Sequence, residues 1–186
     1  MRIGHRSRIK GFSLVEVLVT LIVVSVGLLG LAKMESLALV STNVAGTRSI
    51  AAIQASSLAA AMHANRGFWG KGTAPGSATV TATSAGVVTI LPVSTGLGVA
   101  ATCTTSGATA CDVAHMAAYD VQQWAIAVAK LLPSYLATIQ CNTANAPVNC
   151  TISITWVENA VAATSQQTAT GLSALQKPVY TLYVEP

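Results

Sequence analysis

The sequence predicts an α+β chain: one long N-terminal helix, its first half apolar and transmembrane and its second half amphipathic, packed on a small antiparallel-sheet head that carries a second helix. Three observations predict it. From Phe12 to Ala32 the only charged side chain is Glu16, and a helix of that length covers roughly 30 Å, the thickness of one bilayer core. Past Lys33 the apolar residues Leu37, Val40, Val44, Ala51, Leu58 and Ala61 recur at spacings of three, four or seven, the mark of a striped helix. After Gly67 the chain turns to short Thr- and Val-rich runs bounded by Gly, Ser and Pro, which read as strands.

With 186 residues the chain has material for one modest domain beside the helix. Charged residues make up 9% and the hydrophobic set 52%, so part of the chain belongs in a membrane. The formal net charge of +4 would admit a polyanionic partner, but its distribution argues otherwise. Arg2, Arg6, Arg8 and Lys10 carry the whole excess; the six remaining bases match the chain's six acids. Without residues 1–11 the charge is zero, and no global electrostatic case for nucleic acid survives. Lys and Arg stay on the cytoplasmic side of such a span. The expected topology is therefore a single pass in the inner membrane with the head in the periplasm.

A secretory signal is cut after its apolar region and lost with it. Here the candidate site lies before it, at Gly11-Phe12-Ser13-Leu14-Val15-Glu16. This run resembles the processing motif of type IV prepilins and pseudopilins. The resemblance implies a pilin-like fold, cleavage by the prepilin peptidase after Gly11, N-methylation of Phe12 as the first mature residue, and Glu16 as the acidic fifth. Glu16 also carries a physical argument of its own. A carboxylate within an apolar span costs on the order of 2.5 to 3.5 kcal/mol and calls for a partner. The candidate is the positive N-terminus of a neighbouring subunit in a filament, where a low dielectric strengthens attraction. The competing readings are a Glu16 that snorkels to the interface and an ordinary single-pass anchor.

The long helix is expected to run from about Phe12 to Asn65, with Asn65-Arg66-Gly67 as its stop. Gly27, Gly30 and Gly46 are either weak points in it or sites of close helix packing. The expected organisation is a cleaved leader at 1–11, a membrane and filament-core helix at 12–32, its amphipathic continuation at 33–66, and a periplasmic head at 67–186. Within the head, Gly67 to Gly76 reads as a linker. Thr79–Thr83 and Val87–Leu91 read as strands joined through Ser84-Ala85-Gly86, and Thr151–Trp156 as a strand with Ile152, Ile154 and Trp156 on one face. Val179–Val184 is a fourth. Asp112 is a candidate N-cap for a helix that ends before Pro133, with Val113, Ala117, Val121, Trp124, Val128 and Leu131 along its core side. Trp124 and Trp156 read as core aromatics; Asp120 either anchors a loop or faces solvent.

A narrower resemblance rests on Gly27-Leu28-Leu29-Gly30-Leu31-Ala32, Ala64-Asn65-Arg66, Ala118, Asp120, Trp124, Leu132-Pro133, Cys141 and Ile154-Thr155-Trp156. Together these look like the minor pilin V family, the type IV pilus modification proteins called PilV. The likeness is strongest in the first 35 residues, and segments 92–110 and 157–177 match nothing in it. It implies a minor pilin at or near the filament tip that promotes pilus assembly and presents a tip adhesin. Its partners would be other minor pilins and the major pilin, with inner-membrane lipid around the span before assembly and an extracellular pilus fibre afterwards. Twitching motility and cell adhesion would follow indirectly. The alternatives are a minor pseudopilin of type II secretion, especially the I-type subunit, and a DNA-uptake minor pilin, which would need bases gathered by the fold.

Four cysteines in a translocated head form an even set in an oxidising compartment. Of the three connectivities, Cys103–Cys111 and Cys141–Cys150 are favoured because each pair encloses a short segment flanking a predicted element. A zinc site is the weaker reading, since the spacings are not Cys-x2-4-Cys and only His115 lies near. No cofactor or metal is expected. Catalysis is not expected either: His5 leaves with the leader, His63 and His115 sit on separate helices, and none of the nucleophile, metalloprotease, phosphate-loop or dinucleotide motifs occurs.

Overall fold

The computed structural model describes residues 11–99, 102–103, 111–144, 146–159 and 175–186. The basic leader residues ahead of Gly11 lie outside this set. The chain falls into two compact units that divide between Ser41 and Thr42.

Helix α1 spans Leu14–Ala64, two residues later than expected at its start because Phe12 and Ser13 stay outside it. Up to Ser41 it carries outward-facing apolar side chains, and its most apolar stretch has a mean hydropathy of 2.6 with none of it buried. Beyond Thr42 one stripe goes inward: Ala51, Ala55, Leu58 and Met62 are fully buried, at steps of four, three and four, as a core-facing helix requires.

Asn65 then interrupts the helix, and a single turn, α2, runs Arg66–Trp69. The expected stop holds, since α1 ends at Ala64, but the linker reading is corrected: the segment after Asn65 opens with a helical turn. Gly67 lies inside α2, where a Cβ would come within 2.9 Å of Val113 Cγ1; glycine is required by close approach and not by a left-handed backbone. Asn65 is buried and its Nδ2 donates to Val113 O at 2.7 Å. Phe68 and Trp69 are core residues in edge-to-face contact, with ring centroids 5.0 Å apart.

The head is built on an antiparallel sheet of β1 (Ser77–Ala82), β2 (Val88–Leu91), β3 (Leu136–Asn142), β4 (Asn149–Thr155) and β7 (Val179–Val184), ordered β2-β1-β3-β4-β7. A separate two-stranded piece pairs β5 (Glu158–Asn159) with β6 (Leu175–Gln176). The β1–β2 connection turns on Gly86 at φ +88°, a backbone that residues with a Cβ rarely adopt. Between β2 and β3 runs α3, Val113–Leu131. Asp112 caps it, its carboxylate accepting the His115 N–H at 2.7 Å. The helix ends at Leu132, whose backbone is extended as a residue preceding proline must be.

One face of the sheet is apolar. Ala78, Val80, Ile90, Ala137, Ile139, Ile152 and Ile154 point inward and share one core with the α1 stripe and with Ala117, Val121, Trp124, Ala125 and Val128 of α3. The reading of Ile152, Ile154 and Trp156 as one inward face holds; all three are buried. Val113 and Leu131 are exposed instead, and Leu132 takes the buried place at the end of α3. The opposite face is hydroxyl-bearing, with Thr79, Thr138, Ser153 and Thr181 in register across four strands. Such one-sided burial is what an antiparallel sheet permits.

The sequence reading missed β3, which is the central strand. Its inward residues are Ala137, Ile139 and Cys141, only one of them a large β-branched residue, so the alternation is faint. Cys141 and Cys150 stand opposite each other in the β3–β4 register and are bonded at 2.03 Å. Cys103 is bonded to Cys111 immediately before α3. Trp124 Nε1 donates to Gln54 O of α1 at 2.8 Å, and Trp156 Nε1 to Glu158 Oε1 at 3.1 Å. Tyr135 is buried, donates its hydroxyl to Ala125 O at 2.9 Å, and has its pKa raised by that burial.

Glu158 is the buried carboxylate of the head, 5% exposed. It accepts from Thr47 Oγ1 at 3.2 Å, Arg48 Nε at 3.3 Å, Arg48 Nη2 at 3.2 Å and Trp156 Nε1 at 3.1 Å. The Thr47 hydroxyl also lies 2.9 Å from Val44 O and has one proton to share between the two acceptors. The secured donors are therefore the two Arg48 N–H groups and the Trp156 indole, which replace the lost water as a buried charge requires. Removing the cation leaves the charge stranded, whereas an amide keeps the shape and part of the bonding. Arg48→Ala is therefore expected to destabilise the head by about 2 kcal/mol, and Glu158→Gln by less. Denaturant unfolding of the detergent-solubilised chain, followed by Trp fluorescence, measures both; a Glu158→Gln loss larger than that of Arg48→Ala would contradict this account. Non-reducing peptide mapping is expected to recover Cys103–Cys111 and Cys141–Cys150 crosslinks and no link between the two segments.

Candidate functional site

The candidate site is the start of α1. Gly11, Phe12 and Ser13 precede the helix and are exposed, Phe12 at 82%. Ser13 occupies the N-cap position. Its carbonyl accepts the Glu16 N–H at 3.1 Å and the Val17 N–H at 3.3 Å, which begins the intrahelical ladder. Glu16 thus falls in the first turn, where the helix dipole favours a negative charge. Phe12, Glu16, Val17 and Thr20 line one shallow concavity on the same side of the helix.

Among the described residues nothing forms an ion pair or a side-chain hydrogen bond with Glu16. The other polar side chains of the span are satisfied within it. Thr20 Oγ1 donates to Val17 O at 2.8 Å and Ser25 Oγ to Leu21 O at 2.6 Å, so both hydroxyls can enter an apolar medium. Leu14, Val15, Leu18, Leu21, Ile22, Val23, Val26 and Leu29 are all more than half exposed. A Cβ on Gly27, Gly30 or Gly46 would meet nothing within 4 Å, so no close approach inside the chain accounts for these glycines, and helix α1 continues through them.

The residues that could have carried chemistry are not brought together. His63 is exposed on α1. His115 is exposed at the start of α3 with its Nδ1 2.8 Å from Asp112 Oδ1, and the Asp112 carboxyl is held below its usual range first by the His115 backbone N–H and then by the His115 ring. Asp120 is half-buried on α3, and desolvation raises its carboxyl. No group of His, Cys, Asp and Glu among the described residues is placed to hold a metal ion. Sequence reasoning overlooked Glu158, which has no local signal because its donors on α1 are 110 and 111 residues away.

Comparison with known proteins adds one finding. The family model described as the prokaryotic N-terminal methylation motif matches residues 6–32. No curated protein and no solved structure matches the chain. The match covers the basic stretch, the Gly11–Phe12 junction, Glu16 and the apolar span, and it leaves the head unassigned. The chain carries a prepilin-type N-terminus, which supports a type IV pilin-like protein, pilin or pseudopilin, processed by a prepilin peptidase and assembled with other pilins.

Proposed function

We propose that this chain is a minor pilin of a type IV pilus, of the PilV kind, which enters the fibre at or near its tip, promotes assembly and supports a tip adhesin. The observation that carries the filament reading is Glu16: a carboxylate on an otherwise apolar, outward-facing span, with no partner among the described residues, inside the stretch that the methylation motif matches. Its expense in an apolar medium is offset once a neighbouring subunit brings its N-terminal amine alongside. The basic stretch ahead of Gly11 holds the N-terminus in the cytoplasm. The head then stands in the periplasm before assembly and on the fibre afterwards. Residues likened to the minor pilin V family in the head, Trp124 and Ile154-Thr155-Trp156, support the narrower assignment.

A minor pseudopilin of type II secretion is the second reading, and the reach of the methylation motif favours it equally, since the matched residues stop at 32. Purification of the pilus and secretion fractions from the native cell separates the two. Co-purification with other minor pilins and a large surface protein supports the pilus.

Cleavage after Gly11 followed by methylation gives a mature chain that begins with N-methyl-Phe12. Intact-mass and N-terminal fragment spectra of the membrane-extracted protein are expected to show it; a Met1 terminus, or a cut beyond Ala32, rules out pilin processing. Glu16→Ala removes the insertion penalty, so the variant is expected to be cleaved and to accumulate in the inner membrane. Its content in sheared fibres is expected to fall at least ten-fold at matched expression, as loss of a desolvated charge pair of about 1.4 kcal/mol or more implies. Equal incorporation would remove the physical support for the filament reading.

A further inference from the structure

We propose that the head carries a binding site for a neutral glycan: the hollow between the start of β1 and the end of β2, continued across the outer face of the sheet to Tyr183. The inference concerns the head alone and does not depend on the pilin reading. The hollow has a volume of about 380 Å³ and is lined by Thr73, Pro75, Ser77, Pro92, Ser94 and Thr95, within the range of roughly 300 to 1,000 Å³ that takes small ligands. Its walls are held from behind. Gly76 O accepts the Cys141 N–H at 3.2 Å, which ties the chain ahead of β1 to β3. Leu97 is fully buried, and Gln122 Nε2 of α3 donates to Leu97 O at 2.8 Å and to Val99 O at 2.7 Å, which fastens the loop after β2 to the helix. The lining offers hydroxyls and proline rings and no ionisable group. Among the described residues the Ser77 and Ser94 hydroxyls have no hydrogen-bond partner.

Ser77 carries the site onto the sheet. In the strand register it stands in one row with Gln140, Thr151 and Tyr183, three strand spacings or roughly 14 Å long. Tyr183 closes the row with its side chain outward, 81% exposed. The row of Thr79, Thr138, Ser153 and Thr181 runs beside it, with Ser153 Oγ and Thr181 Oγ1 3.3 Å apart. No outward-facing position of the five strands is charged, so the face lacks the attraction that a polyanion needs. Its exposed apolar residues, Leu91, Leu136 and Val179, sit on three strands with a threonine-bearing strand between each, which leaves no contiguous apolar centre for a protein interface. What remains suits a sugar. Hydroxyls and the Gln140 amide both donate and accept, matching a ligand whose own groups are hydroxyls. The negative face of the Tyr183 ring suits the polarised C–H groups of a pyranose. Strand pairing fixes these groups before the ligand arrives, which lowers the ordering cost of binding.

The test uses the full-length chain in a detergent without a sugar headgroup and titrates it, by calorimetry, with neutral oligosaccharides of increasing length derived from cellulose, starch and chitin. Heparin serves as the anionic probe. A neutral oligosaccharide is expected to bind, with affinity rising until the ligand spans the row, and heparin is not. Tyr183→Ala removes the ring and Ser94→Val a hydroxyl of the hollow; each is expected to weaken binding roughly five-fold. Both residues are exposed, so unfolding followed by Trp fluorescence is expected to be unchanged in both variants. Binding by none of the neutral probes overturns the proposal, as does heparin binding as tightly as they do. Full affinity in either variant overturns it too, because the site would then lie elsewhere. If no glycan binds and Tyr183→Ala lowers the chain's content in sheared fibres, the face is a contact between subunits and the proposal falls.

Discussion

Burial of the apolar face of the sheet beneath α1 and α3 is the interaction on which the rest of the head depends. Val80, Ile139, Ile152 and Ile154 present a flat hydrocarbon surface that water opposes, each such side chain contributing about 1.5 to 3 kcal/mol when fully covered. Two helices cover it, and small residues set how closely they do so. Ala51, Ala55, Ala117 and Ala125 are fully buried, so both helices present small side chains to the core they share with the sheet. Hydrogen bonds then fix the arrangement where side-chain volume alone would leave it loose: Trp124 ties α3 to the α1 backbone at Gln54, and Asn65 ties the end of α1 to the start of α3.

The chain uses few charges, and two carboxylates in apolar settings meet opposite fates. Glu158 is supplied with three N–H donors by Arg48 and Trp156, with the Thr47 hydroxyl shared between it and Val44 O, all from its own chain. Glu16 has none. A buried charge without compensation is not tolerated in a stable arrangement. The contrast therefore separates a carboxylate that holds the head together from one with no complement among the described residues, the one for which a neighbouring subunit is proposed as partner. The same division appears among the hydroxyls. Thr20 and Ser25 bond back to their own helix, whereas Thr79, Thr138, Ser153 and Thr181 form a ladder on the open side of the sheet, where a β-branched residue suits the strand and its hydroxyl suits water.

The sequence by itself determined the parts whose cause is local or periodic. An apolar run broken only by Glu16 decides a membrane-length helix, and Gly11-Phe12 with Glu16 decides the motif. Asp112 and Pro133 bound α3 because capping and proline sterics act within a few residues. Strict alternation over Ile152, Ile154 and Trp156 decides an inward strand face. Tertiary structure decided what depends on residues far apart in the chain. It made β3 the central strand although only Ile139 signals it strongly, since a strand paired on both sides draws stability from its neighbours as well as from its own side chains. It placed Phe68 and Trp69 in the core, moved the buried end of α3 from Leu131 to Leu132, and required Gly67 to be small because Val113, far away in sequence, comes to lie against it. It joined Glu158 to Thr47 and Arg48. A pairing across more than a hundred residues leaves no local trace, because its free energy exists only once the sheet has brought the two segments together.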